Sequence, residues 1–533
     1  MARNITTGIT RRGVVKGAAA AGLVLSTTGG ARAQPLRQSV TAPDFRQATL
    51  DSYKRAIANM LALPPSDPRN WYRQAIIHVL DCPHDNWWFL PWHRGYILNF
   101  ERICRQLSGD PDFALPYWDW TATPQLPDMF FDDVLNPAGA SYMDFNSLQD
   151  AFRGPMTDFM AALSADQMKS ASARGFATVD DLMADIGSTF VPVANARALT
   201  RQSPALPDFA QQAVAINVIL DTLGLTRFED FASSSAMFRL DRPGAGQLES
   251  QPHNNVHGGV SGMMGDFMSP VDPIFWLHHA NLDRLWGVWA RGRGGQLGPD
   301  DASWGAEKFV FFVDQAGNPA PTDAMGASNP SGVQYQPGSG DNAVPAIAAA
   351  TAALAAAAPR RPAPQIFNST QAGQTLRVAQ AVTMPVTVSP AVLQGLALRL
   401  GGGAAAAAAV VAPLTAMAPP APSHLMARIR VTAPPRAQDY RLRVFVNCPY
   451  LSAGTPLSDA HYVGSIAFFG NHRHAGGGSS STFTLLLNPA LSRLLATGQY
   501  PGEQFRLQVM AANEKMEPQT LDARVEQVQI YAV

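Results

Sequence analysis

The stretch Asp272–Trp286 reads DPIFWLHHANLDRLW. An aspartate that can cap a helix and a proline suited to its first turn precede an apolar run, so the stretch predicts a strong helix to about residue 290. Two adjacent histidines lie in its middle. Successive helical residues point about 100° apart, so only one of the pair faces a given metal ion. We predict His279 as a ligand and place His278 beside the site as a neighbour.

Two more histidines lie upstream, at His253 and His257. Their spacing of four residues places both imidazoles on one face of a helical turn. Together with His279 they form a candidate triad of metal ligands. Phe275 precedes His279 by one helical turn and is expected to form an aromatic wall beside it.

An earlier group of three histidines has a different layout. His78 ends a predicted helix over 70–80, His93 begins another that runs to Leu107, and His84 lies in the loop between them. Three different backbone contexts allow three rings to surround one ion without competing for one helix face. Cys82 lies within this group, where its sulfur can ligate a metal or react.

The ligand type restricts the metal. Sites built from imidazole alone suit copper, zinc, iron or nickel, and the absence of carboxylate ligands argues against magnesium and calcium. Three protein ligands per ion leave open coordination positions, which a catalytic ion needs. The spacing alone does not choose between copper and zinc.

Composition indicates a large globular protein. The chain has 533 residues, of which 46% are hydrophobic and 15% charged, so it can bury a large core and is expected to form more than one domain. The formal net charge is -1. Residues 1–33 carry five basic residues and no acid, so the remainder is clearly acidic, which speaks against a nucleic-acid partner.

The N-terminus is typical of a targeting signal. Residues Thr10–Lys16 contain a twin-arginine pattern, Ala18–Leu25 is apolar, and Ala31–Ala33 offers small residues for cleavage. We predict that residues 1–33 are a twin-arginine signal peptide, and that the twin-arginine machinery exports the folded protein to the periplasm or the medium. The apolar stretch is too short to span a bilayer, so no membrane anchor is expected.

Changes in composition divide the remaining chain. Residues 34–316 are predicted to form the catalytic domain, and residues 317–363, rich in Pro, Ala and Gly, a linker. Residues 364–533 are predicted to form a C-terminal β-sandwich that carries a low-complexity insert over 401–422. The predicted strands in this part are Leu425–Val431, Tyr440–Val446, Tyr462–Phe469, Thr482–Leu487, Phe505–Ala511 and Val525–Val533.

Several separated motifs agree in order with one known family. The motifs are His78, Cys82-Pro83-His84, Trp88–Arg94 (WFLPWHR), Glu101-Arg102, Phe113–Trp120 (FALPYWDW) and Asp272–Trp286. Over roughly residues 70–290 the chain resembles the tyrosinase and polyphenol oxidase (catechol oxidase) family of type 3 copper proteins, with a plant-like domain layout.

The resemblance implies a mainly helical catalytic domain in which a four-helix bundle holds two copper ions. It also implies that dioxygen is the co-substrate and that phenols or catechols are oxidised to o-quinones. The implied ligands are His78, His84 and His93 for the first copper and His253, His257 and His279 for the second.

The resemblance extends to residues around these ligands. The Cys82-x-His84 spacing is similar to that of members with a thioether bond from the cysteine to the second ligand. Glu249 and Asn254 match a pair proposed in monophenol-oxidising members to hold a water that takes the proton of the phenol. Phe267 resembles the bulky gate residue over the second copper of plant-like members.

The C-terminal part resembles the family less closely. Phe445–Asn447 and Gly464–Ile466 are similar to pieces of the C-terminal β-domain that shields the active site of latent plant-type enzymes. We therefore expect a latent enzyme whose own residues 364–533 limit the access of a small phenolic or catecholic substrate.

Other functions stay open at this point. An o-aminophenol oxidase of the same family is one alternative, and a haemocyanin-like oxygen carrier is another. A dinuclear zinc hydrolase is disfavoured because such sites usually mix carboxylates with histidine.

Overall fold

Helices form most of the N-terminal part of the computed structural model. The structure describes residues 35–329, 332–357, 364–401, 423–432, 440–470, 480–502, 504–513 and 515–533. The predicted signal peptide (1–33) and nearly all of the predicted insert (401–422) lie outside these residues.

The helical part carries helices of 4 to 20 residues and one π-helical turn. Their bounds are α1 Gln47–Ala62, α2 Trp71–Asp81, α3 Phe89–Ser108, α4 Phe145–Ala161, α5 Ala165–Ala173, α6 Val179–Thr189, α7 Asp208–Ala213, α8 Ile216–Gly224, α9 Phe228–Phe231, the π-turn Glu249–His253, α10 Asn254–Val260, α11 Ile274–Arg291, α12 Ala302–Ala306, α13 Ala324–Ser328 and α14 Val344–Ala357.

Local signals explain where the histidine-bearing helices begin and end. The side chain of Asn70 caps α2 by accepting a hydrogen bond from the Tyr72 amide, and Pro83 follows the end of this helix. Helix α3 ends at Gly109, whose φ of 70° suits glycine. The carboxylate of Asp272 accepts a hydrogen bond from the Ile274 amide, but Pro273 rather than the predicted Asp272 lies at the N-cap position of α11.

Helix α11 is the central helix of this part. Nearly every residue of it is buried, on all of its faces. Such a helix is surrounded by other elements, and here it packs against α3, α8 and α14. The stacked rings of Phe100 and Trp276, with centroids 3.5 Å apart, join α3 to α11.

The C-terminal part is built from two antiparallel sheets. The strands are β5 Gln365–Asn368, β6 Gln374–Arg377, β7 Ala381–Thr387, β8 Leu425–Thr432, β9 Arg441–Val446, β10 Tyr462–Ile466, β11 Ser480–Leu486, β12 Gln504–Ala512 and β13 Thr520–Ala532. One sheet has the strand order β10-β9-β12-β7, and the other has the order β11-β8-β13-β5 with β6 also paired to β13. This part also contains two helices, α15 Pro390–Leu400 and α16 Asn488–Ala496.

The two sheets share one apolar core, as in a β-sandwich. Val444 and Val509 from the first sheet and Ile429 and Val528 from the second are fully buried in the same cluster. The prediction of a helical core followed by a β-rich C-terminal region is confirmed. Strand β10 ends at Ile466, earlier than predicted, and residues 467–470 continue as irregular chain.

The stretch predicted as a linker, 317–363, contacts the helical part through its described residues. It contributes β3 Thr322–Asp323, which pairs with β2 Lys308–Phe309, and β4 Gln334–Tyr335, which pairs with β1 Leu36–Arg37. Asp341 forms an ion pair with the buried Arg284 of α11. These contacts fasten part of the stretch to the helical core.

The β-sandwich and the helical part are joined by hydrogen bonds at the second histidine group. The Ser465 carbonyl of β10 accepts hydrogen bonds from the side chains of Gln251 and Asn255, both at 3.0 Å. Ala245 exchanges backbone hydrogen bonds with the edge strand β11. The segment that carries His253 therefore lies directly against the sandwich. Among the described residues, no helix has the length and apolar character needed to cross a membrane.

Candidate metal centre

The first three histidines come from three consecutive elements. His78 lies in the last turn of α2, His84 in the loop after it and His93 one turn after the start of α3, and all three are buried. Their ring centroids are 5.3 to 5.5 Å apart, so they form a nearly equilateral triangle. The structure thus brings together the three residues predicted as one group, which we call triad A.

The second group forms a similar triangle. His253 ends the π-turn, His257 lies on α10 and His279 on α11, with ring centroids 4.4 to 5.5 Å apart. We call this group triad B. The two triads face each other, and the rings of His93 and His279 stack at 4.2 Å.

Backbone carbonyls orient three of the rings. The Nδ1–H groups of His78, His93 and His257 donate to the carbonyls of Phe267, Phe89 and Met264, at 2.7, 2.7 and 2.5 Å. A neutral ring that donates through Nδ1 carries its lone pair on Nε2, and this tautomer leaves Nε2 free to bind a metal.

The remaining nitrogens converge as ligands of two ions would. The Nε2 atoms of His78 and His93 lie 3.4 Å apart, and those of His257 and His279 lie 3.3 Å apart. Two nitrogens bound to one ion at tetrahedral geometry would lie about 3.3 Å apart. The buried Nε2 atoms of His84 and His253 have no hydrogen-bond partner in the described part of the chain, as expected for ligand atoms.

Burial keeps these rings neutral. It lowers the pKa of His93 and of His257 to about 3, and it lowers the pKa values of the other four ligand candidates well below the usual range. A neutral imidazole has the free lone pair that a metal requires.

His278 lies beside triad B, but its hydrogen bonding argues against a ligand role. Its ring nitrogens lie close enough to those of triad B to bind the same ion. However, the indole N–H of Trp120 donates to His278 Nδ1 at 3.2 Å, so the proton of this neutral ring is on Nε2. In this tautomer one nitrogen accepts and the other is protonated, so His278 offers no free lone pair, although its buried Nε2 has no hydrogen-bond partner among the described residues.

Cys82 lies against the second ligand of triad A. Its buried Sγ atom is 3.2 Å from Nδ1 of His84. Burial raises the pKa of the thiol, and the nearby cations of Arg174 and Arg242 oppose that effect. The structure therefore brings together the two residues predicted to share a thioether bond.

Glu249 and Asn254 flank His253, and each is engaged by other groups. Glu249 is fully buried, and its carboxylate oxygens accept hydrogen bonds from the Asp85 amide at 2.9 Å and from the Ser233 hydroxyl. Burial raises its pKa well above the usual range. The Asn254 side-chain oxygen accepts a hydrogen bond from His253 Nδ1 at 2.7 Å and so orients that ring.

The two predicted phenylalanines occupy different places. The Phe275 ring lies 4.2 Å from the His279 ring and 5.2 Å from the His78 ring, so it forms a wall against both triads. The Phe267 ring lies 5.5 Å from His84 and 5.8 Å from His78. The prediction placed Phe267 over the second metal, but the structure places its ring beside triad A.

Some residues that contact the triads were not predicted from the sequence, among them Phe89, whose ring centroid lies 4.7 Å from that of His253, and Phe469. Phe469, from the C-terminal part, has its ring centroid 4.4 Å from that of His257, 4.7 Å from His84 and 5.3 Å from His253. It lies in the segment 467–470, which we call the blocking loop. Gly470, directly after two phenylalanines, could have indicated that the strand ends before this segment. The alternating pattern of β10 instead favoured a strand that continues to Phe469.

The helical core holds two facing triads of buried, neutral imidazoles. This arrangement is typical of dinuclear metal proteins in which histidines provide all the protein ligands. Residues 66–292 match the family model described as the common central domain of tyrosinase. Residues 66–292 therefore form a tyrosinase-type central domain, and the chain is related in sequence to tyrosinases and polyphenol oxidases.

Curated relatives agree with this assignment. The chain is 30% identical over 295 residues to (+)-larreatricin hydroxylase of Larrea tridentata, 29% identical over 306 residues to the latent form of polyphenol oxidase of Prunus armeniaca, and 27% identical over 310 residues to a tyrosinase of Hahella sp.. These matches cover 50%, 53% and 52% of this chain and 43%, 45% and 58% of the relatives. The chain therefore spans roughly half the length of these relatives.

Solved structures show the same fold over most of the chain. Latent apple tyrosinase matches with a TM-score of 0.57 at 17% identity, over 94% of this chain and 98% of that one. Latent aurone synthase from a natural source matches with a TM-score of 0.56 at 20% identity, over 94% and 90%. The similarity extends beyond the central domain.

Proposed function

We propose that this protein is a dicopper oxidase that uses dioxygen to convert o-diphenols to o-quinones and that also o-hydroxylates monophenols. The observation that carries the proposal is the pair of triads, in which neutral Nε2 atoms converge at 3.3 to 3.4 Å within a buried site. The match of residues 66–292 to the central domain of tyrosinase favours copper over zinc, a choice that the ligands alone leave open.

The histidine-bearing helices would form the four-helix bundle of the site. In this proposal His78, His84 and His93 hold one copper, and His253, His257 and His279 hold the other. Two copper ions so held would supply the electron transfer between the phenol and dioxygen. The surrounding residues fix the ring orientations and exclude water, and the aromatic wall of Phe275 closes the site from the side of α11.

Glu249 and Asn254 would serve the monophenol reaction. A phenol with a pKa near 10 must lose its proton before its oxygen can bind a metal. We assign Glu249 the task of holding a water that accepts this proton. Asn254 would hold the same water while its side-chain oxygen orients His253.

The short distance between Cys82 and His84 supports a thioether bond in the mature enzyme. Such a bond joins the sulfur to a ring carbon of His84 with loss of two hydrogen atoms, which dioxygen would accept through the metal site. It would fix a ring whose Nδ1 contacts sulfur rather than a backbone carbonyl. Mass spectrometry of the peptide around Cys82 should show a mass lower by two hydrogen atoms.

The C-terminal domain, residues 364–533 in the predicted division, would keep the enzyme latent. Phe469 supports this role because its ring lies against both triads, where a substrate ring would have to bind. The matching apple and aurone synthase structures are also described as latent forms. The predicted linker over 317–363 would be a site at which proteolysis relieves the block.

The predicted export stays part of the proposal. A twin-arginine signal peptide over 1–33 would carry the folded protein to the periplasm or the medium. Replacing Arg11 and Arg12 by lysine should retain the protein in the cytoplasm, and unchanged export would contradict the assignment.

A metal analysis combined with a substrate panel tests the central proposal. The purified protein, loaded with copper, should hold two copper ions per chain and form quinone from catechols, and more slowly from monophenols. An o-aminophenol belongs in the panel because a preference for it would favour the alternative oxidase. Bound zinc, or reversible oxygen binding without quinone, would contradict the proposal and favour a hydrolase or an oxygen carrier.

A further inference from the structure

Arg242 connects the blocking loop to the metal site. Its Nε–H donates to the Asp85 carboxylate at 2.8 Å. One terminal nitrogen donates to the Gly470 carbonyl at 3.0 Å and the other to the Phe469 carbonyl at 3.4 Å. Asp85 therefore fixes one edge of the guanidinium, and the two terminal nitrogens point at oxygen atoms of the blocking loop.

Phe469 occupies the site as an aromatic acid would. Its ring lies against His257 and His84, and two saturated carbons join that ring to its own carbonyl, which faces Arg242. A phenyl ring, two carbons and a carbonyl make up the skeleton of an arylpropanoate. The blocking loop thus places an aromatic ring against the histidines and two carbonyl oxygens against the Arg242 cation.

We propose that Arg242 is a specificity-determining residue that binds the carboxylate of arylpropanoic phenols, such as 3-(3,4-dihydroxyphenyl)propanoate, once the blocking loop has moved away. The inference rests on the proposed phenol oxidation and names its substrate class. When the loop leaves, the terminal nitrogens lose two carbonyl acceptors. A carboxylate offers two oxygens in the spacing that a guanidinium edge binds through parallel hydrogen bonds.

The charges around Arg242 set the expected size of the effect. Asp85 balances one positive charge, and burial raises the pKa of the neighbouring Glu249 well above the usual range. The substrate therefore meets a cation that is already paired. The carboxylate gains binding free energy through charge-assisted hydrogen bonds to this cation. We expect about a tenfold preference of the enzyme for the acid over its neutral amide.

The test compares 3-(3,4-dihydroxyphenyl)propanoate with its primary amide on the copper-loaded full chain. The ratio of the two kcat/KM values isolates the carboxylate, because loop opening and the oxidation step affect both substrates alike. We expect a ratio of about 10 in the wild type that falls to about 1 in Arg242→Gln. Arg242→Lys, which keeps the charge but loses the forked donor pair, should give an intermediate ratio. Arg153→Gln on α4, an exposed arginine paired with Asp180, serves as the control and should keep the wild-type ratio.

A binding experiment separates this inference from the proposed function. The ligands are 3-phenylpropanoate and 3-phenylpropanamide, which carry no hydroxyl to oxidise. Their affinities are measured by calorimetry on Phe469→Gly, which empties the ring position, with and without Arg242→Gln. A preference for the acid that disappears with Arg242 supports the inference, even if no catechol is oxidised. Equal affinities, or no binding of the acid, would overturn it, even if the enzyme forms quinone normally.

Discussion

The ring centroid of Phe469 lies 4.4 Å from that of His257, so a residue of the C-terminal part touches a metal-ligand candidate of the helical core. The same ring also contacts the other triad, since its centroid lies 4.7 Å from that of His84. One aromatic side chain therefore covers both halves of the candidate dinuclear site.

Removing this ring should activate the full chain. Phe469→Ala deletes a buried ring. Loss of such a ring typically costs about 3–5 kcal/mol of folding free energy, and part of this energy holds the blocking loop against the triads. We expect catechol oxidation by the uncleaved protein to rise at least about tenfold, measured as initial quinone formation. The matched control is Phe468→Ala, since that ring packs inside the sandwich against Phe483 and Tyr440. It should lower the melting temperature, and equal activation by both variants would argue against a specific block.

Proteolysis should act in the same direction. Cleavage within 317–363 or 401–422, or a mild detergent, is expected to increase the rate with catechol by releasing the blocking loop. The rate and the fragment pattern are followed together over time. If cleavage at these segments leaves the rate unchanged, the C-terminal domain does not keep the enzyme latent.

The ligand assignment predicts different outcomes for neighbouring histidines. His257→Ala or His93→Ala should abolish quinone formation and lower the copper content from two ions per chain towards one, because each variant loses one of three ligands. His278→Gln should keep both ions, since the Nδ1 atom of His278 already accepts a hydrogen bond from Trp120. Elemental analysis and the catechol assay check both. Loss of copper from the His278 variant would show that the tautomer argument is wrong.

Glu249→Gln should separate the two proposed activities. Glu249 is assigned to hold the water that accepts the phenol proton, and loss of assistance to a proton transfer typically slows a reaction by about 10²–10⁴-fold, so the monophenol rate should fall by this order while the diphenol rate changes far less. Both oxygens of Glu249 accept hydrogen bonds, so the amide would set an N–H group against a donor and destabilise the fold by about 1–3 kcal/mol. Thermal unfolding measures this second effect. Equal losses of both rates would argue against a role specific to monophenols.

Acid should destabilise the metal-free protein. Burial lowers the pKa of His93 and of His257 to about 3, whereas the unfolded value is about 6.5. Between these values the unfolded chain binds protons that the folded chain does not, so stability falls as the pH decreases. Each such histidine contributes about 1.4 kcal/mol of destabilisation at about pH 5.5. The melting temperature of the metal-free protein should therefore drop between pH 7 and 5, and His93→Gln should show a smaller drop. A flat profile would contradict the burial of these rings as neutral groups.

Much of the local structure could be predicted because its signals are local. Asn70 and Pro83 mark the ends of α2, and the i, i+4 spacing of His253 and His257 does bring their rings together, at 4.4 Å, across the junction of the π-turn and α10. The alternating strands of the C-terminal part were also predictable. The missed elements include α15, α16 and strands β5 to β7, whose short runs carry weaker periodicity.

The sequence was sufficient to identify the six imidazoles, because spacing along helices and the motifs that flank them are properties of adjacent residues. The triangle that each triad forms, the tautomer of His278 and the position of Phe267 beside triad A required the tertiary structure. So did the contact of Phe469 with His257. Each of these depends on which distant segments pack together, and at the second triad the hydrogen bonds of Ser465 with Gln251 and Asn255 join two such segments. No local pattern around residue 469 encodes the approach of its ring to histidines of the helical part.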